Sequence, residues 1–179
     1  MRIYVMRHGT TVWNEKQITQ GRSQNRLSKN GKVLAEEASK KIEGVNFDVI
    51  FCSPLMRTMQ TANIINKKHK VKIIKDERLT EIDQGVFTGR GKNQISESDA
   101  ILKNSRSEKC KMESYSSVLL RVQNFLQFLK TTKYNTVFIV THNVTASLIS
   151  CVCEKIPVDF NNNKHLRNFD NAEIKMFEI

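Results

Sequence analysis

The regular alternation of short apolar segments with amphipathic helical segments restricts the fold of this chain more than any other feature. Segments rich in apolar residues, each short enough for a buried strand, lie at 2–6, 46–52, 71–74, 136–141 and 172–177. Between them, apolar residues recur at helical spacing over 31–44, 53–65, 118–129 and 144–154. Strands that alternate with helices favour a mainly parallel sheet with helices on both faces. We therefore predict an α/β fold, a three-layer α/β/α sandwich that forms one domain over residues 1–179.

The size and composition of the chain fit one globular domain. It has 179 residues, of which 39% are hydrophobic and 26% are charged, so it contains enough apolar material for one core. No apolar run approaches the roughly 20 residues of a membrane span, and the apolar stretch before Arg7 is too short for a secretory signal. We expect no membrane attachment, a cytoplasmic location, and reduced thiols at Cys52, Cys110, Cys151 and Cys153.

The excess of basic residues favours anionic partners. Lys and Arg number 29 against 18 Asp and Glu, which gives a formal net charge of +11. The densest basic segment, 67–75, lacks the aromatic residues that interleave with basic ones in nucleic-acid grooves, so we interpret it as a solvated face. His69 and His165 lie in lysine-containing segments and are expected at the surface. A small anionic partner is favoured over nucleic acid, and the sequence does not indicate an oligomeric state.

Two histidines occupy equivalent places in the predicted sheet. His8 directly follows the first strand, and His142 directly follows the strand 136–141, although 134 positions separate them. Ligands of open α/β sheets bind beyond the carboxyl ends of the strands, so both imidazoles are expected to face one cleft. Other polar residues at strand ends add two arginines, Arg7 and Arg57, and a carboxylate, either Glu81 or Asp83.

This combination of side chains suits phosphoryl transfer. Guanidinium groups match the phosphoryl oxygens with permanently charged, fork-shaped donors. A neutral imidazole is a nucleophile that can form a phosphohistidine. A carboxylic acid with a raised pKa can protonate the leaving alkoxide and afterwards, as the carboxylate, activate water. With this much fixed positive charge the reaction needs no metal or other cofactor.

Four motifs in order along the chain resemble those of the histidine phosphatase superfamily, the phosphoglycerate mutase-like proteins. The first is Arg7-His8-Gly9-Thr10-Thr11-Val12-Trp13-Asn14, followed by Gln20-Gly21 and by Leu27 with Gly31. The others are Ser53-Pro54-Leu55-x-Arg57-Thr58 with Thr61-Ala62, Leu79-x-Glu81-Ile82-x-x-Gly85, and Val140-Thr141-His142-Asn143. The resemblance extends along nearly the whole chain and implies a phosphoglycerate mutase-like fold.

The resemblance also implies roles for individual residues. His8 would be the phosphorylated nucleophile and Glu81 the proton donor. Arg7, Arg57 and His142 would hold the phosphoryl group. Further polar contacts to the substrate would come from Asn14 and from the loop that contains Gln20 and Gly21. The chain departs from the family pattern at Gln24, Arg26, Phe87-Thr88 and Asn143-Val144-Thr145, which concern the choice of substrate rather than the chemistry.

Alternative readings compete with this hypothesis. Asp83 is the rival of Glu81 as the acid, with a loop-capping role as its other interpretation. A zinc centre built from His8, His142 and a carboxylate is disfavoured because two arginines would repel the cation. A catalytically idle module that only binds phosphoesters is a further alternative.

The segment 90–112 bears on the choice between a phosphatase and a mutase. It is polar, charged and weakly patterned, so we expect a short lid rather than core. A mutase must protect its phosphoenzyme from water, which a short polar lid does poorly. We therefore favour hydrolysis of a small phosphorylated metabolite, with a mutase as the alternative. Arg26, Arg90 and Lys92 flank the predicted entrance and lid and are candidates for contacts to a second anionic group of the substrate.

Overall fold

In the computed structural model, which describes residues 1–106, 108–159 and 166–179, five strands form one sheet. They are β1 (Arg2–Arg7), β2 (Val49–Cys52), β3 (Lys72–Lys75), β4 (Thr136–Thr141) and β5 (Ile174–Glu178). Their order across the sheet is β3-β2-β4-β1-β5. All neighbours are parallel except β5, which pairs antiparallel with β1. The carboxyl ends of β1, β2 and β4 therefore lie along one edge of the sheet.

Helices cover both faces of this sheet. They are α1 (Val12–Glu15), α2 (Lys29–Lys41), α3 (Met56–His69), α4 (Glu97–Asn104), α5 (Tyr115–Lys130) and α6 (Asn143–Cys153). Buried residues of α2 and α3 form one core with the sheet, while those of α5 and α6 form a second core on the opposite face. The predicted α/β class with a mainly parallel sheet is confirmed.

Alternation along the central strands builds these two cores. In β1, Ile3 and Val5 join the core under α5 and α6, whereas Met6 joins the core under α2 and α3. In β4 the same alternation separates Val137 from Phe138. Successive side chains of a strand point to opposite faces, so a strand covered on both sides must be apolar throughout.

Two expectations about local structure are corrected. The helix predicted over 53–65 does not begin at Ser53, because α3 begins at Met56 with Leu55 as its N-cap. The Ser53 hydroxyl instead accepts from the Leu55 amide at 3.3 Å and contacts a histidine of the cleft described below. The polar segment 90–112 contains α4 and two single 3₁₀ turns, although its sequence pattern predicted no regular element.

The remaining surface expectations have mixed outcomes. The lysines of segment 67–75 are exposed. His69 is half-buried, with its ring centroid 4.6 Å from that of Phe47, and His165 lies outside the described residues. All four cysteines are free thiols. Within the described ranges, every helix is too short or too polar to cross a bilayer.

Candidate active site

A cavity of about 280 Å³ opens at the carboxyl ends of β1 and β4. Seven of its lining residues were predicted from the sequence, namely Arg7, His8, Asn14, Gln20, Gly21, Arg57 and Glu81. The others are Ile18, Thr19, Gln84, Lys103, Asn143 and Val144. Topology explains this convergence, because β1 and β4 are adjacent and parallel and therefore end side by side.

His8 is held as a neutral imidazole with one nitrogen available. Its Nδ1 lies 2.7 Å from the Gly9 carbonyl oxygen, which can only accept, so Nδ1 carries the proton and Nε2 the lone pair. The side chain is buried. Burial and the neighbouring Arg57 guanidinium hold the pKa of His8 well below its ordinary value. The ring is therefore unprotonated and nucleophilic at neutral pH.

The loop that carries His8 is fixed by a close approach of backbone to backbone. A side chain on Gly9 would place its Cβ 2.3 Å from the Gly31 carbonyl oxygen, and a Cβ on Gly31 would lie 1.9 Å from that of Thr10. Only glycine fits at these two positions, which lie on the loop after β1 and in the first turn of α2. The start of α2 thereby sets the position of the His8 backbone.

Arg57 links the two histidines through a single N–H group. Its Nε lies 3.1 Å from His8 Nε2 and 3.2 Å from His142 Nδ1. Its two Nη groups donate to the carbonyl oxygens of Ser23 and Gly21, both at 2.8 Å. Burial lowers the pKa of Arg57 to about 10. This guanidinium is thus fixed in place by neutral groups and keeps its positive charge beside the cavity.

His142 completes the buried cluster behind the cavity. Because its Nδ1 accepts from Arg57, its Nε2 carries the proton and donates to the Ser53 hydroxyl at 2.8 Å. Burial, with Arg57 and His8 nearby, holds the pKa of His142 well below its ordinary value. The centroids of the His8 and His142 rings are 5.2 Å apart. Ser53 was missed as a site residue because its sequence context is that of a helix start.

Arg7 and Glu81 contribute the remaining charge chemistry. One Nη of Arg7 donates to the Phe169 carbonyl oxygen at 2.5 Å, while its Nε is buried without a hydrogen-bond partner among the described residues. Glu81 accepts from the Ile82 amide at 3.0 Å. Burial raises the pKa of Glu81, although Arg57 and Arg7 oppose the shift. Asp83 accepts from the Gly85 amide at 2.8 Å and does not line the cavity.

Two of the predicted substrate contacts share a hydrogen-bond network near Gln20. The side-chain oxygen of Asn14, Oδ1, accepts from the backbone amide and the hydroxyl of Thr11, each at 3.0 Å, and Asn14 lines the cavity. The Thr11 hydroxyl also contacts the Gln20 side-chain oxygen at 3.0 Å.

The structure does not bring Arg26 and Arg90 into the cavity. Arg26 is exposed, and its Nε lies 3.2 Å from the Met56 sulfur. Arg90 forms an ion pair with Asp99 of α4 at 3.3 Å, and its guanidinium lies over the Phe87 ring. The expectation that these arginines contact the substrate directly is therefore not supported by their positions.

Lys103 and Gln84 line the cavity without having been predicted. Lys103 lies on α4 and reaches Thr19, while Gln84 is a variable position of the acid motif, directly before Gly85. Neither stands at the end of a strand, which was the signal used for the other site residues. Within the described ranges, no group of three or more His, Cys, Asp or Glu side chains is placed to hold a metal ion.

Several known proteins resemble this chain in sequence or in fold. Phosphoserine phosphatase 1 of Hydrogenobacter thermophilus is 30% identical over 158 residues, which cover 84% of this chain and 75% of that protein. A second protein of that organism, provisionally named phosphoserine phosphatase 2, is 30% identical over 181 residues, covering 98% and 89%. The structure of the α-ribazole phosphatase from Shigella flexneri shares the fold, with a TM-score of 0.88 at 22% identity over 100% of this chain and 91% of that one. The sequence profile of the histidine phosphatase superfamily (branch 1) matches residues 3–179, and this chain belongs to that superfamily.

Proposed function

We propose that this protein is a phosphomonoester phosphatase that transfers the phosphoryl group to Nε2 of His8. The observation that carries the proposal is the buried Nε of Arg7, which lacks a partner among the described residues and belongs to a side chain that lines the same cavity as the neutral His8. An unsatisfied buried donor costs stability unless a ligand accepts from it. A phosphoryl oxygen bound between Arg7 and Arg57 satisfies this donor and brings phosphorus to the imidazole.

The first chemical step forms the phosphoenzyme. The lone pair of His8 Nε2 forms a bond to phosphorus while the ester P–O bond breaks. The leaving oxygen takes the bond's electron pair and the proton of Glu81, whose raised pKa keeps that proton available. Arg7 and Arg57 stabilise the charge on the transferring oxygens.

The second step returns the enzyme to its starting state. The Glu81 carboxylate takes a proton from a water molecule, whose oxygen forms a bond to phosphorus. The N–P bond breaks, and its electron pair returns to His8 Nε2 as the lone pair. Inorganic phosphate leaves, and Glu81 is again protonated. All groups in both steps belong to the chain or to water, so the proposed reaction needs no metal.

The proposed substrate is a small phosphorylated metabolite of the cytoplasm. The volume of about 280 Å³ suits a small ester, and the two relatives named as phosphoserine phosphatases act, by name, on such a molecule. The four free thiols fit a reducing compartment.

The test measures phosphate release from a panel of phosphomonoesters in excess EDTA, with 3-phosphoglycerate included and its isomerisation followed in parallel. We expect release of phosphate and no isomerisation. When a reaction with a ³²P-labelled ester is quenched, we expect to recover an acid-labile phosphoenzyme. His8→Ala should abolish release and labelling. His69→Ala removes a histidine that packs on Phe47 outside the cavity, and it should retain both.

Two other outcomes would overturn the proposal. Isomerisation without release would make the protein a mutase. Ester binding without either activity would make it an idle binding module.

A further inference from the structure

A second, smaller cavity adjoins the catalytic one. It has a volume of about 90 Å³ and is lined by Gln84, Lys103, Asn104, Arg106 and Tyr115. Gln84 and Lys103 line both cavities, so they stand at the boundary between them. A substrate whose phosphoryl group lies at His8 would therefore direct the rest of its structure toward these two side chains.

Lys103 is a cation that pairs with no carboxylate of the described residues. Its ammonium contacts the Thr19 hydroxyl at 3.2 Å and lies 5.6 Å from the centre of the Phe87 ring. Among the described residues no carboxylate lies within ion-pair distance of it, whereas nearby Arg22, Arg90 and Arg121 all have one. Partial burial and Arg106 lower the pKa of Lys103, which means that they disfavour its charged form. A bound anion would stabilise that charged form.

Arg106 adds a second positive charge to the small cavity. Its Nε donates to the Glu113 carbonyl oxygen at 2.6 Å, and one Nη donates to that of Asp83 at 3.0 Å. Its guanidinium lies 4.8 Å from the centre of the Tyr115 ring. Neutral carbonyls thus fix its position, and in the described part of the chain no carboxylate pairs with it within 4 Å.

Gln84 supplies an unsatisfied acceptor beside these cations. Its side-chain oxygen Oε1 is buried, and no described residue donates a hydrogen bond to it. A buried acceptor of this kind is stabilised by an N–H or O–H group of a ligand. The boundary between the cavities therefore presents positive charge and a hydrogen-bond acceptor side by side.

We propose that Lys103, Arg106 and Gln84 form a subsite for a substrate that carries a carboxylate next to an amine or hydroxyl. Lys103 binds the carboxylate, Arg106 adds to the positive potential, and Gln84 accepts from the amine or hydroxyl. The substrate class is then the phosphate monoester of a small amino acid or hydroxy acid. This inference rests on the proposed phosphatase function and adds the determinants of its specificity.

The test compares two esters that differ only in the carboxylate, O-phosphoserine and O-phosphoethanolamine. We expect the wild-type kcat/KM to favour O-phosphoserine by about tenfold or more, as for loss of a charge-assisted hydrogen bond. Lys103→Met should abolish this preference, and Lys103→Arg should retain part of it. Lys109→Met removes an exposed lysine of the same segment and is the matched control, with the preference unchanged.

Other arms separate the contributions. Gln84→Leu should remove the preference for O-phosphoserine over its analogue without the amine. A preference that Lys103→Met leaves intact would overturn the subsite, as would a wild-type enzyme that does not distinguish the first two esters. If Lys103→Met lowers kcat/KM for fructose 1,6-bisphosphate more than for fructose 6-phosphate, the subsite binds a second phosphate group rather than a carboxylate. Failure to hydrolyse any ester would overturn the phosphatase function itself.

Discussion

Burial produces opposite proton affinities in the two reacting side chains of the cavity. It lowers the pKa of His8, which keeps this proposed nucleophile unprotonated, and it raises the pKa of Glu81, which favours the protonated form of this proposed acid. The positive charge of the site is carried by Arg7 and Arg57. This division is what a nucleophile and a general acid need when they serve the same reaction.

Glu81→Gln tests the role of the acid, because it removes the proton that the leaving oxygen requires. We expect kcat for alkyl phosphates to fall by about 10²–10⁴-fold, and kcat for p-nitrophenyl phosphate, whose leaving group is stable without a proton, to fall much less. Glu77→Gln changes an exposed carboxylate nearby and should have little effect on either ester. Equal slowing of both esters by Glu81→Gln would argue against a proton donor at this position.

Individual site residues differ in how far the sequence predicts them. His8, Arg7 and His142 stand at the ends of strands, where the position in the chain implies a position in the sheet. Ser53 and Lys103 contact the site across large separations in sequence, Ser53 to His142 and Lys103 to Thr19. Such contacts depend on side-chain packing between elements, which no local pattern encodes.

At the level of elements, the contact between the loop after β1 and the first turn of α2 sets the position of the nucleophile. Gly31→Ala should lower the free energy of unfolding by about 1–3 kcal/mol through overpacking against Thr10. It should also lower kcat/KM by roughly 10²-fold, because a small displacement of His8 misaligns the attack.

Gly44→Ala is the matched control, since a Cβ there meets nothing within 4 Å. Chemical denaturation and kinetics with one ester measure both effects. Equal stability and activity of the two variants would show that the contact does not position His8.

The helix α4 shows where sequence patterns fail for an element. It is capped by the Ser96 hydroxyl, which accepts from the Asp99 amide, and the Arg90–Asp99 ion pair holds it to the preceding turn. Its Ile101 is 70% exposed, so no apolar face marks it as a helix. The helices α2, α3, α5 and α6 pack apolar stripes on the sheet, and their sequences accordingly predicted them.

At the scale of the whole molecule, the buried site makes stability depend on pH. His8 and His142 have lowered pKa values in the folded protein and titrate near 6.5 when unfolded. Below about pH 6.5 the unfolded chain binds protons that the folded one does not, so the free energy of unfolding falls with falling pH. Glu81 acts in the opposite direction, because its raised pKa favours the folded state as the pH falls towards its unfolded value.

Two histidines outweigh one carboxyl group, so we expect the free energy of unfolding to fall between about pH 6.5 and 5, by at most about 2.7 kcal/mol per pH unit for the two protons. Urea denaturation across this range measures the slope. His142→Gln removes one of the titrating groups and should make the slope shallower. Stability that is constant or rises as the pH falls would contradict the buried, neutral state of these histidines.

The overall architecture is the part that the sequence predicts best. Strands covered on both faces must be apolar throughout, and the helices that cover them must carry apolar stripes, so two independent patterns agree. The boundaries are less determined: the last strand begins at Ile174 and α2 begins at Lys29, because hydrogen bonds and caps, rather than apolar spacing, decide the terminal residues.

The shared N–H of Arg57 has a consequence for turnover. Before any ester arrives, the lone pair of His8 already engages the donor that a phosphoryl oxygen needs. Entry of the substrate thus exchanges one hydrogen bond for another and gains little net affinity from it. In the proposed reaction this exchange is reversed after hydrolysis, when His8 again accepts from Arg57 and the hold on inorganic phosphate weakens. Arg57 therefore holds the His8 imidazole in position before the substrate binds, and it favours release of inorganic phosphate after hydrolysis.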